Sequence, residues 1–183
     1  MAFRVLVEAC VLVPMPTTDI LLRLANEKTF HLMSSRDILE EVERNLVDAI
    51  GLSPIHARRR LESMQLSFPT AMVEGFDDLT DSMTNDPKDR HVLAAAVRGI
   101  AELIVPSNVK DFPRAACAPY DIDVRTPDDF LTDQLDLYPT KTLKVLNDAH
   151  LSLINPPIPR DEYLEGLEAC GLNILVSTVR SLL

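Results

Sequence analysis

Glu8, Glu41, Asp89 and Asp111 are the acidic residues whose positions suit chemistry rather than simple solvation. In an open parallel sheet the functional edge lies at the carboxyl ends of the strands. Glu8 lies within the apolar run Phe3–Val13, and Asp111 follows the apolar run Ala101–Val105. Glu41 comes one turn into the helical pattern ending at Leu46, and Asp89 falls in a first helical turn behind Asp86-Pro87-Lys88. Carboxylates brought to one point repel one another unless divalent cations sit between them, and oxygen-only ligation selects Mg2+ or Mn2+. Such a site suits phosphodiester hydrolysis, in which the cation activates water and stabilises the leaving oxygen.

Each of these residues also has a purely structural reading. Asp86-Pro87-Lys88-Asp89 is a good helix start on capping and dipole grounds alone. Within Glu40-Glu41-Val42-Glu43-Arg44, Glu41 reads as one solvated acid among its neighbours, and Asp111 can cap a helix after Pro113. Glu8 differs. A carboxylate inside a buried apolar strand is expensive without a partner, so the sequence favours a paired or functional role there.

Other chemistries have less support. His31, His56, His91 and His150 are far apart without metal-ligand spacing, and no glycine-rich phosphate loop or G-x-S-x-G elbow occurs. His91 is expected to pack or cap at its helix start. Cys10, Cys117 and Cys170 form neither a disulfide framework nor a zinc pattern, and their apolar neighbours suggest core positions. Arg58-Arg59-Arg60 is the basic run; it reads as a solvated helix face that could touch an RNA backbone or an acidic partner.

Composition narrows the class. With 183 residues, 46% hydrophobic and 25% charged, the chain can bury a sizeable core and is not of the disordered type. No apolar run reaches the roughly 18–20 residues of a membrane helix, and the opening segment reads as a first strand rather than a signal peptide. A cytoplasmic location is therefore expected. A net charge of −10 argues against holding nucleic acid by broad phosphate neutralisation, so any contact should be local and metal-bridged.

The elements that must position these residues alternate. Strands are expected over Phe3–Val13, Thr29–Met33, Ala101–Val105 and Asp121–Val124, with Met72–Val73 poorly defined. Helices are expected from Thr17-Thr18-Asp19 through Ala25, from Ser34 or Ser35 through Leu46, and from Ser53-Pro54 through Met64. Further helices are expected over His91–Val97, Pro113–Ala118 and from Thr126-Pro127 to Leu135. This order predicts an α/β fold with a parallel sheet flanked by helices in three layers. Beyond Tyr138 the strand signals stop, and Lys141–Leu153, Arg160–Ala169 and Leu172–Leu183 are all helical. The expected division is a domain over residues 1–137 and a small all-α appendage over 138–183.

Four blocks carry a resemblance: Arg4-Val5-Leu6-Val7-Glu8-Ala9-Cys10, Ile38-Leu39-Glu40-Glu41-Val42-Glu43-Arg44, Asp86-Pro87-Lys88-Asp89-Arg90-His91-Val92, and Asn108-Val109-Lys110-Asp111-Phe112-Pro113. In this order and spacing they resemble the PIN-domain family, specifically the VapC-like toxin ribonucleases of bacterial type II toxin–antitoxin pairs. The resemblance covers about residues 3–135, and the C-terminal helices resemble an extra domain of one VapC-like subgroup. It implies a metal-dependent endoribonuclease with Glu8, Glu41, Asp89 and Asp111 as catalytic carboxylates. Glu8, Asp89 and Asp111 would hold Mg2+ or Mn2+, and Asn108 would lend polar support. It also implies an RNA substrate, a small cognate antitoxin, a homodimer and no membrane association. Two departures stand out: Glu8-Ala9-Cys10 replaces the family's usual Asp-Ala-Asn, and Pro106 replaces a common Thr. Glu8 and Cys10 imply attenuated catalysis, or a second reading as a catalytically degenerate PIN module that binds protein.

Overall fold

The computed structural model describes residues 3–182, so Leu183, at the end of the last expected helix, lies outside the described residues. Strand β1 (Arg4–Val7) leads through a 3-10 turn (Ala9–Leu12) into helix α1 (Met15–Asn26). Then come β2 (His31–Ser35), α2 (Arg36–Asp48), α3 (Pro54–Ser67), β3 (Met72–Val73) and the short α4 (Asp77–Thr80). A 3-10 turn (Pro87–Asp89) opens α5 (Arg90–Gly99), followed by β4 (Leu103–Val105), a 3-10 turn (Val109–Asp111), α6 (Arg114–Cys117) and β5 (Asp123–Val124). Helices α7 (Pro127–Leu137), α8 (Pro139–Leu151), α9 (Arg160–Ala169) and α10 (Asn173–Ser181) complete the chain.

The five strands form one parallel sheet in the order β3-β2-β1-β4-β5. Val5, Leu6 and Val7 are fully buried, as expected for a central parallel strand covered on both faces. The chain runs outward from β1 through β2 to β3, then crosses back to β4 on the other side of β1. This reversal makes the carboxyl ends of β1 and β4 the topological switch point, where α/β sheets place their ligands. The expected α/β fold with flanking helices and a helical C-terminal segment is the one observed.

Several expected boundaries move for local reasons. The first strand stops at Val7, not Val13, because the Glu8 carboxylate accepts from the Cys10 N–H and turns the chain into the 3-10 segment. Helix α1 starts at Met15, ahead of Thr17, since Pro14 and Pro16 already fix helix-compatible φ values at its entrance. The second strand slides to His31–Ser35, because the Thr29 hydroxyl donates to the Leu24 carbonyl and closes α1. Helix α5 continues through Gly99, where a Cβ would overlap the Met33 and Val73 side chains. Glycine thus lets α5 approach the sheet closely.

Beyond β5, Thr126 caps α7 as its sequence suggests, accepting from the Asp129 N–H at 3.1 Å. Helix α7 packs on both α8 and α10, and α1 packs on α8. Phe30 and Phe130 meet edge to face with ring centroids 5.1 Å apart, which ties the helical segment to the sheet layer. Asp128, 9% exposed, accepts from the backbone N–H groups of Ile174 (2.8 Å) and Leu175 (2.9 Å). It supplies from a distance the N-terminal cap that α10 lacks locally. No helix among the described residues is long and apolar enough to cross a membrane.

Candidate metal centre

Glu8 stands one residue past the end of β1, and its N–H extends the ladder to the Val105 carbonyl at 3.1 Å. Its side chain, 5% exposed, is held from the β4 side. Oε2 accepts from the Ser107 N–H at 2.6 Å and from the Ser107 hydroxyl at 2.9 Å, while Oε1 meets the Cys10 N–H at 3.4 Å. Charge-assisted bonds of this kind offset much of the cost of burying a carboxylate. They also fix where the free lone pairs of Oε1 point.

Helix α2 brings the second acid. Ser35 accepts from the Ile38 N–H and starts the helix, and Ile38, Leu39, Val42 and Leu46 bury one stripe. Glu41 lies at the margin of that stripe. Its side chain is 26% exposed, against 55% for Glu40, so it is not the solvated acid that its neighbours suggest. Carboxylate oxygens of Glu8 and Glu41 and the Cys10 sulfur all lie within 4.8 Å of one another. His91 Nε2 stands 3.8 Å from Glu41 Oε2, and the Asn45 side-chain amide reaches the Cys10 sulfur at 3.9 Å.

Asp89 closes the 3-10 turn before α5. Burial, followed by the negative charges of Glu8, Asp111, Asp86 and Glu41, pushes its carboxyl up to about 6. Those charges are the electrostatic signature of one cluster drawn from four separate stretches of chain. Asp86 caps the turn through the Lys88 N–H (3.0 Å) and donates its own N–H to the Asp111 carbonyl at 3.1 Å, joining two of those stretches. Partial desolvation of the sulfur, and then the charge of Glu8, likewise raises the Cys10 thiol to about 11, although the residue as a whole is exposed. Asp111 ends the turn Val109–Asp111, half-buried. Asn108 caps that turn, its Oδ1 accepting from the Lys110 N–H at 3.3 Å.

Glu8 and Glu41 therefore touch one ligand volume, and Asp89 and Asp111 bear on it as charges. Four further residues stand at the site in other roles than the sequence suggested or without any signal. Cys10, expected in the core, is exposed and faces the carboxylates. Ser107 is recognisable only from its place just beyond β4. Asp86 was legible as a cap alone, and His91 packs with its Nε2 3.8 Å from Glu41 Oε2. Arg60 also departs from the solvated-face reading. Its guanidinium donates to the Leu12 carbonyl (2.8 Å), the Val13 carbonyl (3.2 Å) and the Thr18 hydroxyl (3.2 Å), clamping the far end of the turn that Glu8 opens.

Residues 4–110 match the family model described as PIN domain. The chain belongs to the PIN-domain family. The part matched as a PIN domain contains Glu8, Glu41 and Asp89 and stops one residue short of Asp111. Residues 127–181 match a second model, described as VapC50 C-terminal domain. A relative from Mycobacterium tuberculosis, named "Putative ribonuclease VapC50", is 49% identical over 98 residues. That alignment covers 54% of this chain and 58% of the relative, so the match spans little more than half of either. No solved structure matches the chain.

The donor set fits a hard divalent cation. Oε1 of Glu8 has only the long contact to Cys10, Glu41 adds a further carboxylate oxygen, and Asp89 stands near enough to feel their charges. The negative neighbours that, after burial, raise the Asp89 carboxyl are what a bound cation would offset. Cys10 contributes the one soft atom.

Proposed function

We propose that this chain is a divalent-cation-dependent endoribonuclease, the toxin of a toxin–antitoxin pair. The meeting of Glu8 and Glu41 within 4.8 Å, at the switch point of a PIN domain, carries this reading. The relative's name as a ribonuclease supports it. Glu8, Asp89 and Asp111 would hold Mg2+ or Mn2+, and Glu41 would complete the catalytic set. When bound, the cation activates water and neutralises charge on the scissile phosphate. Ser107 orients Glu8 through its N–H and hydroxyl. Asp89, its carboxyl raised to about 6, is ionised above that pH, and His91 Nε2 stands 3.8 Å from Glu41 Oε2. Asn108 lends polar support through the turn that carries Asp111.

RNA is the substrate, and a small antitoxin covers the acidic cleft with an Arg, since a cluster of carboxylates attracts a guanidinium through bidentate, charge-assisted bonds. The working unit is a cytoplasmic homodimer. Residues 1–137 form the nuclease unit and 138–183 the appendage, with α1 and α7 packing against the latter. The test is cleavage of RNA by purified protein in Mg2+ or Mn2+, against EDTA, with Asp89→Asn as control. Cleavage that survives both EDTA and Asp89→Asn overturns the reading.

One observation favours a second reading. With its thiol raised to about 11, Cys10 is a neutral, soft donor in the ligand volume at neutral pH. A PIN module degenerate at this position would bind a protein partner without cleaving RNA. Partner capture by wild type that shows no cleavage in any divalent cation would select it.

A further inference from the structure

Cys10 is the member of the cleft that hard-cation chemistry leaves without a role. Oxygen donors suit Mg2+ and Mn2+, whereas a thiol sulfur is a soft donor that selects other metals. Yet the Cys10 sulfur, a Glu8 carboxylate oxygen and a Glu41 carboxylate oxygen all lie within 4.8 Å of one another. Glu8 caps the 3-10 turn that carries Cys10, so the spacing of these two donors is built into the local backbone. Helix α2 brings Glu41 to them from the other side of the cleft.

Two further observations point to a cation held partly by sulfur. Glu8 is 5% exposed, and its carboxylate is met by two N–H groups and one hydroxyl, all of them neutral. A buried carboxylate with only neutral partners lacks a counter-charge. The Asn45 amide, at 3.9 Å, directs an N–H donor at the Cys10 sulfur, the kind of outer contact that steadies a ligating thiolate. Cys10 is also exposed, which leaves a path of entry. A tetrahedral Zn2+, with sulfur at about 2.3 Å and oxygen at about 2.0–2.2 Å, needs its donors about 3.5 Å apart. Side-chain rotation at Cys10 and Glu41 can close that difference while Ser107 keeps Glu8 anchored. The fourth position is left to water.

We propose that Glu8, Cys10 and Glu41 form a site for a thiophilic divalent cation of the Zn2+ type, overlapping the Mg2+ or Mn2+ position through Glu8. The Cys10 thiol gives its proton to solvent as its sulfur takes the metal. Affinity rises from Mn2+ towards Zn2+, and a sulfur donor widens the difference, so Zn2+ displaces the harder cation and silences cleavage. Binding stands on the donor geometry alone, while the inhibition rests on the ribonuclease reading.

The full chain, stripped with EDTA and desalted, is titrated with Co2+ as a coloured stand-in for Zn2+. Sulfur coordination gives a near-ultraviolet sulfur-to-cobalt charge-transfer band that carboxylates cannot produce. The band should saturate at equimolar Co2+ and vanish when Zn2+ is added. It should be absent from folded Cys10→Ser and Cys10→Asn variants and persist in Cys170→Ser. Glu41→Gln should keep the band but require about tenfold more Co2+ or beyond, since even outer-shell changes cost about that much. No band, a band that survives Cys10→Ser, or one indifferent to Glu41→Gln overturns the proposal whether or not RNA is cleaved. A band that depends on Cys10 and Glu41, in a protein that never cleaves RNA in Mg2+ or Mn2+, supports the site and removes the ribonuclease reading instead. Where cleavage occurs, Zn2+ should inhibit it in competition with Mn2+, and less in Cys10→Ser; equal inhibition of the two proteins would overturn the shared site.

Discussion

Ser107 donates two hydrogen bonds, from its backbone N–H at 2.6 Å and its hydroxyl at 2.9 Å, to the same oxygen of Glu8. A residue at the end of β4 thereby sets the direction of an acid at the end of β1, across the register in which Val7 faces Val105. The remaining oxygen of Glu8 is left toward Glu41 and Cys10.

Ser107→Ala keeps the N–H bond and removes the hydroxyl. We expect a stability loss of about 1 kcal/mol, the typical net worth of one hydrogen bond, with a larger effect on cation binding. Groups that orient a metal ligand are worth about tenfold or more in affinity. Titration of Mn2+ into wild type and Ser107→Ala, followed by calorimetry, checks this. Equal affinities would show that the hydroxyl does not position Glu8.

The raised carboxyl of Asp89 makes the metal-free protein sensitive to pH in a definite direction. Its ordinary value of 3.8 rises to about 6 in the fold, so the folded chain binds this proton more tightly than the unfolded chain. Stability from this group is therefore greatest at low pH and falls as pH climbs from about 4 through about 6. In EDTA, urea midpoints of wild type should drop over that window more than those of Asp89→Asn. Millimolar Mg2+ or Mn2+ should raise the midpoint above that window, because only the ionised cluster binds the cation. Identical midpoints with and without cation at pH 7.5 would count against a metal centre.

How legible this was from sequence depended on the range of the contacts. Ser53 before Pro54, Thr126 before Pro127 and the stripe Ile38–Leu46 encode their elements within one or two turns, and each forms where its pattern says. The buried run after Glu8 misled because burial alone does not separate a strand from a 3-10 turn; Ala9, Val11 and Leu12 are as buried as Val5–Val7. Which acids converge was readable only through the resemblance, since the bonds that gather them join distant positions such as Glu8 and Ser107. The exposure of Cys10 follows from that same turn. Once the chain leaves the sheet at Glu8, the two-sided cover that would have buried the thiol no longer applies.

Arg60 gives the sharpest contrast within one basic run. Arg60→Ala removes donors to the Leu12 and Val13 carbonyls and to Thr18, and should destabilise by about 1–3 kcal/mol. Arg60→Lys should recover only part of this, because an ammonium lacks the planar fork that spans two carbonyls. Arg59→Ala, on an exposed position of the same helix, should stay within about 0.5 kcal/mol. Chemical denaturation of the three variants separates the clamp from a general charge effect, which would make Arg59→Ala and Arg60→Ala alike.

Glu8→Asp tests whether the departure from the family's usual acid is a defect or an adaptation. Shortening the side chain by one methylene restores the usual residue type, and on that ground alone activity should rise. The surroundings argue the opposite. Ser107 meets the Glu8 carboxylate at 2.6 and 2.9 Å, so the shell is built to the length of Glu. An Asp anchored at the same backbone position draws back by about one bond length, lengthening both bonds and moving its free oxygen away from Glu41, while the cation tolerates little error in ligand distance. We therefore expect Glu8→Asp to lower Mn2+ affinity and to reduce cleavage by one to two decades, with about 1.4 kcal/mol corresponding to each tenfold loss. Affinity from calorimetry and rate from single-turnover cleavage should fall together. A gain in both would mean that Ser107 follows the carboxylate wherever it goes, and that Glu8 attenuates the enzyme.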